Sequence, residues 1–209
     1  MFRCQVLLFG GADFGVLQAN PNAKYGSQFH RPIQAAAASG RSSTVRFLLS
    51  AGADISPASY GGEHGTALHV AASNGKIECI QALLDAGHDL DYIATGVGCN
   101  GTALAVAASK GHDNAVQCLI NRGSSAKVHS SRYNYPLTYA CETCSVSSVK
   151  ALLEAGADVN GVAGRPPLHA AAERGELSIM KLLLDHGANI DAPGGTYGTP
   201  LVSSIRSCS

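Results

Sequence analysis

Charge is what this chain has least of. Asp, Glu, Lys and Arg make up 14% of its 209 residues, and 15 basic side chains are matched by 15 acidic ones; a typical soluble protein carries about 25% charged residues. So neutral a sequence has little long-range steering and offers no basic patch to a nucleic acid or an anionic membrane. Neither is expected as a partner. Long hydrophobic runs are missing too, since nothing approaches the roughly 18 apolar residues of a membrane span. Arg3 followed by Val6-Leu7-Leu8-Phe9 has the order of a secretory leader, but its apolar run is too short for one.

A disulfide framework is equally lacking. The seven cysteines, at positions 4, 79, 99, 118, 141, 144 and 208, are odd in number and scattered. They read as reduced thiols of an intracellular protein, cytoplasmic or nuclear. No glycine-rich phosphate loop follows a strand: Gly61-Gly62 and Gly194-Gly195 lead into helix starts. Nor do a nucleophile, a base and an orienting group stand at a recognisable spacing. No enzymatic activity, metal or cofactor is therefore expected.

What the chain does have is a repeated unit. Pro166-Pro167-Leu168-His169-Ala170-Ala171-Ala172-Glu173-Arg174-Gly175 is followed by a second apolar run through Leu182-Leu183-Leu184 that stops at Gly187. Proline suits a helix start, where its missing N–H would be unpaired anyway, and glycine suits a left-handed helix end. The stretch predicts helix, turn, helix. A pair this short cannot bury its apolar face alone, so copies are needed.

Copies are present. Helix starts recur at Arg31-Pro32-Ile33-Gln34, Thr66-Ala67-Leu68-His69, Thr102-Ala103-Leu104-Ala105, Tyr135-Pro136-Leu137-Thr138 and Thr199-Pro200-Leu201-Val202. From the Pro or Ala to the closing glycine (Gly52, Gly87, Gly123, Gly156, Gly187) the spacing is always 20 residues. From each closing glycine, Gly11 included, to the next Pro or Ala it varies between 11 and 21. Fixed pairs with variable connectors mean that the pairs stack and the connectors project, as in a solenoid. Thr66, Thr102 and Thr199 are placed as N-caps. Alanine pairs such as Ala71-Ala72 and Ala107-Ala108 allow close approach, and Phe47-Leu48-Leu49, Leu83-Leu84, Leu119-Ile120, Leu152-Leu153 and Leu182-Leu183-Leu184 predict the thick layer of the core. Ile55, Leu90, Val159 and Ile190, three residues past each closing glycine, would pin the outgoing connector.

With its Thr-Ala-Leu-His start, alanine pair, inter-helix glycine and Gly-Ala-Asp ending (Gly11-Ala12-Asp13, Gly52-Ala53-Asp54, Gly156-Ala157-Asp158), the unit resembles the ankyrin repeat. The resemblance covers nearly the whole chain. It implies an all-α solenoid of stacked antiparallel helix pairs with β-hairpin or loop fingers. The expected layout is a single domain over residues 1–209, with a partial repeat at 1–29, repeats at about 30–64, 65–99, 100–133, 134–164 and 165–197, and a partial repeat at 198–209. Solenoids usually end in polar capping units and neither end supplies one, so a piece of a longer array is expected.

The units depart from their own rule in places. Gly123-Ser124-Ser125 lacks the aspartate, Cys144 stands at the inter-helix glycine, and Arg31, Tyr135 and Pro166 replace the capping threonine. A left-handed non-glycine costs roughly 1 kcal/mol, so the fourth unit is expected to be loose or its turn redrawn. Phe14 to Phe29 forms the longest finger, as a contact loop or as tolerated length. Cys141-x-x-Cys144 has the spacing of half a zinc site, but no second ligand pair lies nearby; Cys141 at an alanine position reads as a small buried hydrophobe. Cys4, Cys79 and Cys118 read likewise, and Cys99 as an exposed thiol. His69 and His169, at the family's motif histidine, are expected to bond backbone and the capping threonine.

For function, the resemblance implies a protein partner held on a concave surface of finger tips and first helices. The same surface could instead belong to the sensor or regulatory array of a larger enzyme or signalling receptor. Mapped position by position, the strip includes Val106, Lys110, Glu142, Glu173 and Arg174. Arg132, Tyr133, Tyr135 and Tyr139 concentrate beside it in the fourth unit, and Tyr and Arg are enriched where binding energy is concentrated. The alternative role for Tyr135 and Tyr139 is packing on neighbouring fingers.

Overall fold

A computed structural model describes residues 20–23, 31–55, 65–96, 99–127, 135–161, 165–194 and 198–200. Five helix pairs follow one another: α1 (Pro32–Ala38) with α2 (Ser42–Ser50), α3 (Ala67–Ser73) with α4 (Ile77–Asp85), α5 (Ala103–Ser109) with α6 (Asp113–Asn121), α7 (Pro136–Glu142) with α8 (Val146–Glu154), and α9 (Pro167–Arg174) with α10 (Leu177–Asp185). Between α4 and α5 the finger is a two-stranded antiparallel hairpin, β1 (Ala94–Gly96) with β2 (Cys99–Gly101). The fold is the all-α solenoid that the spacing predicts. Among the described residues no helix is long and apolar enough to cross a membrane.

Each pair is closed twice by the same backbone device. At the end of α4, Gly87 N–H donates to Leu84 O at 3.0 Å and His88 N–H to Leu83 O at 3.2 Å, with Gly87 at φ 84°. This is a Schellman closure, and the same two bonds close α2, α6, α8 and α10. The fixed 20-residue spacing is thus the length of one hairpin between its proline-or-alanine start and its left-handed stop. Between the helices the closure repeats: Gly75 N–H bonds Ala72 O and Lys76 N–H bonds Ala71 O. A Cβ on Gly75 would lie 2.9 Å from the His112 ring of the next unit, so close stacking as well as φ demands glycine there.

Cys144 takes that place in the fourth unit at φ 60°, the one non-glycine residue with positive φ among those described. Its bonds, Cys144 N–H to Cys141 O and Ser145 N–H to Ala140 O, match those at Gly75. The turn is therefore neither loosened nor redrawn; the strain is carried in place.

Ile33, Leu68, Leu104, Leu137 and Leu168 form one buried row along the first helices, while Ile80, Leu83, Val116, Leu119, Val149 and Leu152 build the second-helix layer. Burial of each such side chain contributes about 1.5–3 kcal/mol. The alanine faces of the first helices let successive first helices pack closely on one another. Ile55, Leu90 and Val159 pack against the core as expected. Three expectations fail: Ile190 is 59% exposed, Phe47 66% and Leu184 37%. Phe47 occupies the helical position of Ala82, Cys118, Ala151 and Leu182, which are buried or half-buried. Ile190 follows α10, on which no further second helix stacks among the described residues.

Candidate interaction surface

The exposed edge of the first helices is built from their last turns. Ser39, Asn74, Ser109 and Thr143 each bond a carbonyl one turn back in their own helix, which leaves a low, even strip. Lys110 and Arg174 are exposed on it. Val106 is not. It is 3% exposed, as Val70 is at 2% and Ala170 at 0%, although Ala35 at the same position is exposed; Val106 drops out of the strip. Tyr139, at the same position of α7, is half-buried and packs against the core. Arg132 and Tyr133 lie outside the described residues, as do Phe14–Ala19, Lys24–Phe29, Cys4 and the side chain of Cys99.

Glu142 and Glu173 belong to one arrangement that periodicity does not reveal. Arg165, in the finger before α9, reaches along the strip and holds both: Nη1 lies 2.9 Å from Glu142 Oε1 and Nη2 lies 2.7 Å from Glu173 Oε2. One guanidinium thus joins the ends of α7 and α9. Each arm makes one charge-assisted bond to a separate carboxylate. Burial pushes the Glu142 carboxyl above the usual range, although Arg165 and Arg174 pull the other way. Burial, with Glu142 close by, likewise raises the Tyr139 phenol. The signal that could have found Arg165 is its place directly before the Pro166 helix start, eight residues ahead of Glu173.

The histidines are internal ties. His69 Nε2 donates to Gly101 O at 3.0 Å and Thr66 Oγ1 donates to His69 Nδ1 at 2.8 Å, with Tyr92 edge-on at 6.0 Å between centroids. The expected threonine cap therefore differs between units. Thr66 gives its hydroxyl to the imidazole and makes no backbone cap bond, whereas Thr102, facing Ala105, accepts the Ala105 N–H at 3.2 Å. At His169, Pro166 supplies no hydroxyl and the buried Nδ1 has no partner, while Nε2 bonds Gly198 O at 3.3 Å.

Cys141 is fully buried in the core at its alanine position and burial pushes its thiol up; Cys79 is buried and Cys118 half-buried. Cys144 is exposed on the turn. The two halves of Cys141-x-x-Cys144 thus occupy different environments.

A family model described as ankyrin repeats, in three copies, matches residues 3–94 and 92–163, and one described as ankyrin repeat matches residues 163–194. No curated protein matches the chain.

Proposed function

The chain belongs to the ankyrin repeat family, whose repeats serve in general to bind other proteins; from that premise we propose that it is a non-enzymatic interaction module. Its partner is a protein held on the first-helix side of the solenoid and the adjoining fingers, in cytoplasm or nucleus. The observation that carries this reading is the Arg165 clamp on Glu142 and Glu173. It fixes charged groups in place across two units, so little ordering entropy is lost when a partner docks. The proposed contact residues are Tyr135, Tyr139, Lys110 and Arg174 on this side, and Arg132 and Tyr133, outside the described residues, by their place in the sequence. Glu142 and Glu173 take part through the clamp.

A photo-crosslinking residue introduced at Lys110 or Arg174, both exposed on the first helices, should capture the same protein from native extract. At Gln117 or Lys150, exposed on the second helices, it should not. Capture from the second helices alone would sink the proposal. Because Tyr139 packs against the core, its contribution is better tested as Tyr139→Phe, which removes only the hydroxyl, than as Tyr139→Ala.

A further inference from the structure

The chain is neutral as a whole, but its charges are sorted within the molecule. Carboxylates gather where the second helices close: Asp85, Glu154 and Asp185 stand two residues before a closing glycine, and Asp54, Asp89 and Asp158 two residues past one. Arg122 and Lys127 are the only Lys or Arg within five residues of those glycines, and Arg122 is itself paired with Asp85. An excess of positive charge is therefore left for the rest of the chain.

On the first-helix strip this excess is presented at one position of the repeat, directly before the inter-helix turn. That position holds Ser39, Asn74, Lys110, Thr143 and Arg174 in successive units, so Lys110 and Arg174 stand in register two units apart, and both are exposed. One position earlier are Glu142 and Glu173, each half-buried and each bonded to an arm of Arg165, at 2.9 and 2.7 Å. Arg174 pulls on the Glu142 carboxyl as well. The clamp thus works as a mask. It neutralises the two carboxylates that would repel an anionic group and leaves the lysine and the arginine to either side of it.

We propose that this strip takes an acidic, extended segment of the protein partner, with carboxylates set against Lys110 and Arg174. The inference rests on the interaction side proposed above and adds the charge of what docks there. Neighbouring helices pack about 8–10 Å apart, which puts equivalent positions two units apart at about 16–20 Å. An extended chain spans that distance in about five or six residues. Exposed ion pairs add little affinity by themselves and act mainly on encounter rate and on choice of partner.

The test is selection from a random peptide library displayed on phage, followed by stopped-flow measurement of the enriched peptides at rising salt. The enriched peptides should carry Asp or Glu at two positions with that spacing, and their association should slow as salt rises. Lys110→Glu combined with Arg174→Glu, both at exposed positions, should slow association about tenfold at low salt. Glu142→Gln combined with Glu173→Gln, which removes the masked charges and leaves Arg165 uncompensated, should speed it. Enriched peptides without an acidic excess would overturn the acidic partner, as would association that both charge variants leave unchanged. So would enrichment of nothing, or a preference for a labelled single-stranded oligonucleotide over the peptides. A photo-crosslinking residue separates this failure from failure of the interaction side: non-acidic peptides captured at Lys110 or Arg174 leave that side standing, whereas capture only at Gln117 or Lys150 overturns both. Should the glutamine pair not fold, Glu173→Gln alone is read by the same criterion.

Discussion

His69 shows a side chain fixed by the unit that follows its own. Burial lowers its pKa to about 4 from 6.5, although the backbone bonds to Gly101 and Tyr92 pull the other way. As the pH falls below 6.5 the unfolded chain takes up this proton, while the folded chain does not until about pH 4. Stability from this group is therefore full above 6.5 and declines through that window, by on the order of 3 kcal/mol when complete. Gln34 fills the equivalent place with an amide, accepting the Arg31 N–H at 3.1 Å and donating to Gly65 O. His69→Gln should therefore fold and show a shallower acid loss. Urea denaturation on either side of the window, followed by circular dichroism because the chain has no tryptophan, checks it. His88, which burial also holds low, keeps some slope in either protein. The histidine's partners were legible in the sequence because they recur with the repeat. Arg165 was not, because its two contacts depend on side-chain reach between units rather than on spacing along one helix.

Among elements, the inter-helix turn of the fourth unit carries the clearest local strain. Cys144 makes the closure of Gly75 at φ 60° with a Cβ that disfavours it. Cys144→Gly should raise stability by about 1 kcal/mol, read as a higher midpoint in thermal denaturation. A lower midpoint would mean that the thiol makes a stabilising contact that outweighs the backbone. The helix pairs themselves were legible nearly to the residue, since proline, alanine pair and glycine each act locally. Exposure was harder to read. Val106 and Tyr139 share one position of the repeat, yet one is covered and the other half-covered, because a neighbouring helix decides burial and the sequence of the unit does not contain that neighbour.

For the whole molecule, repetition decides what is continuous and what is local. The buried row from Ile33 to Leu168 runs through every described unit, so apolar cohesion does not single out any junction. The same repetition makes the chain divisible. Gly65 and Gly101 each precede a threonine and each accept the tie from the unit before, so deleting the 36 residues Thr66–Gly101 joins Gly65 to Thr102 with the Gln34 bond in place. The shortened protein should unfold cooperatively at a lower midpoint. A chain lacking the 18 residues Thr66–Leu83, which joins Gly65 to Leu84 out of phase with the repeat, should not fold. The paired Schellman closures give this a reach beyond folding: each hairpin carries its own start and stop, so lengthening or shortening of the array is tolerated in whole units, and a change out of phase is lost with the fold.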